Sequence, residues 1–174
     1  MKSFLAGVIV TLVCIAGGVY IYFSRGSAPV ATSAPPMPFE RKLAHLALDA
    51  RLKMEMPRSV PIDPSEANYL AGARQYLTHC AVCHGVPGKE LTAIARGEFP
   101  KPPELLKGTG VTDDPPGETY WKVANGIRLT GMPGFSQSLS PTEIWQISLM
   151  LANADKLPPS VSAVLDGKVG APKQ

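Results

Sequence analysis

Residues 80–84 read Cys-Ala-Val-Cys-His, and no other stretch of the chain constrains the fold as strongly. Two thiols three positions apart can reach two groups on one edge of a flat ligand, and the adjacent imidazole can then meet a metal at its centre. The same spacing is compatible with a thiol redox pair, with half of a zinc site, or with covalent attachment of haem. The rest of the sequence has to distinguish among these three.

The first two alternatives lack the residues that they need. A zinc site would need two further ligands, and only His79 and His45 remain, with no second cysteine pair. A thioredoxin-like redox pair needs a strand-rich setting, and no segment here alternates like a strand. The motif therefore favours one covalent haem c held by Cys80 and Cys83, with His84 as an axial ligand of the iron.

A second axial ligand is expected from the segment Gly131-Met132-Pro133-Gly134-Phe135. It lies in a loop between two predicted helices, and flanking Gly and Pro make a helical core position for this methionine unfavourable. The other methionines outside the apolar N-terminal run are less suitable as ligands. Met37 lies in a Pro- and Ala-rich segment, Met150 lies inside a predicted helix, and Met54 and Met56 precede the haem motif. Met132 is therefore predicted as the sixth ligand.

Helix start signals indicate an all-α domain. Asp63-Pro64-Ser65-Glu66 and Ser140-Pro141-Thr142-Glu143 each combine a capping side chain, a proline and a glutamate, and they predict helices over about 64–81 and 141–154. A shorter helix is predicted over 117–125. The segment between the first two helices is rich in Gly and Pro, and loops of that length need a ligand such as haem to pack on.

The N-terminal part predicts attachment to a membrane. Phe4–Phe23 is a run of 20 residues without a charge, which is long enough to span a bilayer, so residues 1–25 are predicted to be an uncleaved anchor. A cleaved signal peptide stays the alternative, because residues 28–34 offer small residues where a peptidase could cut.

Two further segments flank the predicted domain. Residues 26–62 are expected to form a Pro- and Ala-rich tether that ends in an amphipathic helix over 39–56. The apolar stripe of this helix is predicted to contain Phe39, Leu43, Leu46, Ala50 and Met54. Residues 63–157 are expected to form the haem domain, and 158–174 a flexible tail.

Charge argues against nucleic acid as a partner. The chain has 17 basic and 14 acidic residues, a formal charge of +3, and its 45% apolar content can bury a core. Phosphate binding needs Lys and Arg clustered on one face, and five of the basic residues fall instead between Arg41 and Arg58, before the predicted domain.

Residues from about 63 to 157 resemble a class I c-type cytochrome of the bacterial single-haem kind. The resemblance is carried by the haem motif, by Gly72 and Tyr76 placed eight and four residues before the first cysteine, and by Pro103-Glu104-Leu105. It implies a small all-α fold with crossing N- and C-terminal helices around one haem. The family's crossing often includes an aromatic residue, for which Trp145 is the candidate here.

The resemblance also implies roles for residues around the haem. The Pro103 carbonyl would accept the imidazole N–H of His84 and so fix the tautomer and orientation of the ring. Tyr120, Trp121 and Arg128 resemble positions that pack on the haem or face its propionates, and ordinary core or surface positions explain them equally well.

The function expected from these features is electron transfer, not enzymatic catalysis. With His and Met on both faces of the iron, no site is left for a small-molecule substrate, and a thioether ligand with a buried haem raises the reduction potential. Respiratory or dehydrogenase proteins at the bacterial cytoplasmic membrane are the expected donor and acceptor, with the haem domain on the periplasmic side. The alternatives are a haem-containing subunit of a redox enzyme, or a haem-based sensor in which Met132 is displaced.

Overall fold

A computed structural model of the chain describes residues 1–107 and 114–167. Within these residues the chain forms helices and no strands, which confirms the all-α prediction. The helices are α1 (Lys2–Ser24), α2 (Glu40–Glu55), α3 (Glu66–His79), α4 (Ala81–His84), α5 (Ala93–Gly97), α6 (Pro116–Asn125), α7 (Pro141–Ala152) and α8 (Pro159–Leu165).

The chain divides into two compact units, Met1–Leu43 and Ala44–Gln174. The first unit contains α1, none of whose residues is buried. Among the described residues, α1 alone is long and apolar enough to cross a membrane, with a mean hydropathy of 2.4 over its most apolar window. An N-terminal signal sequence has the same properties.

The second unit is built around the packing of α3 against α7. Gly72 lies at their closest approach, where an added Cβ would come within 2.2 Å of the carbonyl oxygen of Gln146. Trp145 is the aromatic residue expected at the α3–α7 crossing. Its ring stacks instead on Tyr120 of α6, with the ring centroids 4.3 Å apart. The crossing itself is closed by backbone contact at Gly72.

The predicted caps form, with one shift of position. Ser140 and Glu143 make the reciprocal capping box at the start of α7. At the start of α3 the capping residue is Ser65 instead of Asp63, and its side chain accepts from the backbone N–H of Asn68. The helix therefore begins two residues later than the prediction, because Ser65 has the extended backbone that a capping residue needs.

The prediction of a flexible tail from residue 158 is wrong for its first half. Residues 159–165 form α8, which packs against α3 and buries Val161, Val164 and Leu165. Burial of these three apolar side chains stabilises the packing of the segment on the domain. The rest of the predicted tail, from residue 168 onward, lies outside the described residues.

The predicted amphipathic helix forms as α2, but its predicted apolar stripe stays exposed. Leu43, Leu46 and Met54 are 62%, 66% and 79% exposed, whereas Leu52, on the opposite side of the helix, is only 4% exposed. Within the second unit, α2 is therefore buried on the side that contains Leu52, and this side does not include the stripe.

Candidate functional site

The end of α3 holds the Cys-Ala-Val-Cys-His turn in place. The buried Tyr76 donates its hydroxyl hydrogen bond to the carbonyl of Gly85 over 2.8 Å. The Cys80 N–H donates to the carbonyl of Tyr76, and α4 continues directly to His84. Gly85 then ends the helical turn with a positive φ of 72°, a conformation that glycine adopts without steric cost.

The two cysteines of the motif have different environments. Cys80 is buried, and burial, reinforced by neighbouring Cys83, raises its pKa to about 12. Cys83 is half-buried, and burial together with the carboxyl of Glu98 raises its pKa as well. Both thiols are therefore protonated at neutral pH, and they do not pair with each other as a disulfide.

His84 is oriented by the backbone of a distant loop. Its Nδ1 lies 2.8 Å from the carbonyl oxygen of Pro103, which can only accept, so Nδ1 carries the proton. Burial lowers the pKa of the imidazole, although the Pro103 hydrogen bond and Glu98 oppose this effect. A neutral imidazole with Nε2 unprotonated is the form that ligates a metal.

Met132 lies on a loop that the backbone of α6 holds closely. The Phe135 N–H donates to the carbonyl of Val123 over 2.9 Å, and the Met132 N–H donates to the hydroxyl of Thr130 over 3.1 Å. The Met132 side chain is half-buried and packs against the core of the domain.

Two glycines allow this loop to approach α6. A Cβ on Gly126 would lie 2.5 Å from the Gly134 nitrogen, and a Cβ on Gly134 would lie 2.8 Å from the backbone of Asn125. Real Cβ atoms do not come this close, so the path of the Met132 loop depends on glycine at both positions.

Glu98 lies between the attachment turn and the Met132 loop. Its Oε1 accepts from the Cys83 thiol over 3.5 Å, and a Cβ built on Gly131 would be 2.5 Å from the same oxygen. One carboxylate therefore touches the two segments that contain the predicted attachment cysteine and the predicted methionine ligand. Glu98 was not predictable as a site residue, because a single acidic residue in a Gly- and Pro-rich segment has no recognisable pattern.

Trp121 and Arg128 occupy different surroundings. The indole N–H of Trp121 donates to Glu55 at the end of α2 over 3.1 Å. Arg128 is exposed, and it precedes Leu129, which has a positive φ of 62° and is 93% exposed. Their roles towards a haem stay predictions.

The residues present fit a c-type haem. They supply two thiols and an oriented imidazole on one turn, a thioether on a separate constrained loop, and apolar side chains nearby that include Leu105, Leu106 and Phe135. In the described part of the chain, no three side chains of His, Cys, Asp or Glu gather into a group that could hold a bare metal ion. The described residues therefore fit a haem iron better than a zinc site.

Comparisons with known proteins show what the chain is similar to. The family model described as cytochrome c oxidase, cbb3-type, subunit III, matches residues 67–149. The quinohemoprotein alcohol dehydrogenase ADH IIB of Pseudomonas putida is 25% identical over 159 residues, which cover 81% of this chain and 21% of that protein. The chain thus spans about a fifth of the length of this curated relative.

Among solved structures, the reducing HAO-like protein complex of Kuenenia stuttgartiensis aligns with a TM-score of 0.48 and 27% identity, covering 55% of this chain and 47% of that one. The range that the family model matches, residues 67–149, contains Cys80, Cys83, His84, Pro103 and Met132.

Proposed function

We propose, from the premise that residues 67–149 are a c-type cytochrome domain, that this protein carries electrons between redox proteins at a membrane. A domain of this family implies haem-based electron transfer. The finer proposal is a single haem c with His84 and Met132 as axial ligands, since the sequence contains one Cys-x-x-Cys-His motif.

The residues of the site have distinct tasks in this proposal. Cys80 and Cys83 would hold the haem through two thioethers, which prevents its loss. The haem, when bound, supplies the one-electron chemistry of its iron. Pro103 keeps the His84 ring in one tautomer and one orientation. The hydrogen bond of 2.8 Å between these two residues is the main structural support for the proposal, because it prepares His84 to bind iron.

The environment of the site suits an electron carrier more than a catalyst. Two axial ligands from the chain leave the iron no open position for a substrate. Hydrophobic side chains near the attachment turn, Val82 and Ile94, are 44% and 55% exposed and offer a surface for brief encounters with a partner. Among partners, we propose a membrane-bound donor and a membrane-bound acceptor.

The proposal includes an anchor at the N-terminus. The apolar helix α1 would cross the bacterial cytoplasmic membrane once, with the haem domain on the periplasmic side. A domain held in this way meets membrane-bound partners at an effective concentration that the tether sets.

A second candidate is a haem-containing subunit of a redox enzyme. It is favoured by the family, which is named after an oxidase subunit, and by the similarity to a quinohemoprotein dehydrogenase. In this case the domain would pass electrons within one stable complex. Isolation from native membranes distinguishes the two, because a subunit remains in a stoichiometric complex through size exclusion and a carrier elutes alone.

Carbon monoxide binding tests the proposed ligand set. The reduced native protein should bind CO slowly or not at all, because His84 and Met132 fill both axial positions. Fast CO binding, recorded by the change of the Soret band after mixing, would contradict the carrier and favour a sensor or a catalytic haem. The variant Met132→Ala is the positive control, since it should bind CO quickly.

A further inference from the structure

Helix α2 presents one apolar face that the protein does not cover. Leu43, Leu46, Ala50 and Met54 follow one another at intervals of three or four residues, so they share one side of the helix. All four are exposed, and Leu43, Leu46 and Met54 are more than 60% exposed. We call these four residues the α2 stripe.

The opposite side of α2 is fixed to the haem domain. Leu52 is buried, and Glu55 accepts a hydrogen bond from the Trp121 indole of α6. The segment that follows α2 passes close to α6 as well, because a Cβ on Gly117 would collide with the carbonyl oxygen of Pro57. The C-terminal half of α2 is therefore seated on α6 while its stripe faces outward.

Lysines lie along one edge of the α2 stripe. From residue 40 to 58 the chain has five basic and three acidic residues. Arg51 and Glu55 pair with each other at 2.6 Å, which leaves four basic and two acidic residues. Lys42 and Lys53 lie on the same edge of the helix, beside Leu46 of the stripe, with Asp49 between them. An apolar face with lysines at its edge is complementary to a bilayer surface that contains anionic headgroups.

The length of the chain limits how far α2 can lie from that surface. Fifteen residues separate the end of α1 at Ser24 from the start of α2 at Glu40. A flexible segment of that length spans roughly 20 Å on average and about 50 Å when fully extended. The stripe is also too small for a stable contact with a second copy, because four side chains cover little of the roughly 800 Å² per partner that such an interface buries.

We propose that α2 lies in the membrane interface, with the α2 stripe inserted among the headgroups and acyl chains of a bilayer containing anionic lipid. This inference rests on the proposed anchor, which keeps α2 beside the bilayer. Because the other side of α2 is seated on α6, the contact would orient the haem domain, and the tether would not leave it free to tumble. The face of the domain that includes α6 would then be turned towards the membrane.

Site-directed spin labels on the full-length holoprotein test this orientation. The protein is placed in nanodiscs of phosphatidylcholine and phosphatidylglycerol, with Cys14→Ala as background, since Cys80 and Cys83 are consumed by the haem. One label is introduced through Ala50→Cys on the stripe, and a matched one through Ala44→Cys, which is exposed but lies off the stripe. Collisions with oxygen and with a water-soluble nickel complex are measured for each label, against the same sample under nitrogen without either reagent.

The expected result is several-fold lower accessibility to the nickel complex at Ala50→Cys than at Ala44→Cys, with higher accessibility to oxygen. Equal accessibility of both labels to the nickel complex, while the chain stays in the nanodisc, would overturn the inference and leave the anchor intact. Protection at Ala50→Cys that rises with protein concentration would also overturn it, because it would assign the stripe to a second copy. A chain that elutes apart from the nanodiscs would refute the anchor and this inference together.

Discussion

His84 and Pro103 are 19 residues apart in the chain, yet their hydrogen bond of 2.8 Å is the most specific contact of the site. The imidazole cannot turn without losing it, so Nε2 points in one direction only. A single backbone carbonyl thus decides both the tautomer and the orientation of the proposed iron ligand.

The role of Met132 can be tested by removing its sulfur. Met132→Ala should retain the covalent haem, because the cysteines are untouched, but lose the near-infrared band that arises from sulfur-to-iron charge transfer. Absorption spectra of the oxidised protein check this. The matched control is Met54→Ala, since Met54 is exposed on α2 and its removal should leave the band unchanged. Survival of the band in Met132→Ala would show that another residue is the ligand.

Glu98 should lower the reduction potential of the haem. Its carboxylate lies beside Cys83, and a negative charge near the ring favours the more positive ferric state. Glu98→Gln is therefore expected to raise the midpoint potential by an amount on the order of tens of millivolts. Spectroelectrochemical titration measures the midpoint potential, with Glu90→Gln as the control at an exposed position before α5. An unchanged or lower potential in Glu98→Gln would refute this role.

At the scale of helices, the contact between α3 and α7 depends on Gly72. A Cβ at this position would lie 2.2 Å from a backbone oxygen of α7, which cannot move aside like a side chain. Gly72→Ala should therefore destabilise the domain by roughly 1–3 kcal/mol.

Thermal denaturation of the holoprotein, followed by circular dichroism, measures the effect of Gly72→Ala. Gly97→Ala is the control, because a Cβ there would meet nothing within 4 Å. Equal melting temperatures for the two variants would mean that the helices are not in tight contact at Gly72.

The helices and their capping signals were largely predictable from local sequence. The box of Ser140 and Glu143 depends only on residues three positions apart, and it forms as predicted. The start of α3 lies at Ser65 and not at Asp63, because this short segment contains two residues whose side chains can cap a helix, and local pattern does not rank them.

Features that depend on tertiary packing were not predictable. The docking of α8 depends on a surface of α3 that is distant in the chain, and the position of Glu98 depends on how two loops meet. The periodicity of α2 predicted the helix, but it does not predict which side of the helix the domain covers. The domain covers the side that contains Leu52 and leaves the predicted stripe exposed.

At the scale of the whole molecule, an apolar N-terminal helix precedes a helical domain whose residues 67–149 match a c-type cytochrome family model. In the proposed arrangement, α2 and the segment between the helix and the domain would determine how far the domain can move from the bilayer. The attachment turn would determine what the domain carries. Everything proposed about electron transfer depends on the second of these, because without a covalent haem the remaining helices have no redox centre.

The most direct test is therefore extraction of the purified, matured protein with acidified acetone, followed by a pyridine haemochrome spectrum of both fractions. All of the pigment should stay with the polypeptide, and its spectrum should be that of a haem whose two vinyl groups are saturated, in a ratio of one haem to one chain. A colourless protein, or pigment that moves into the solvent with the spectrum of an unmodified haem, would contradict the account.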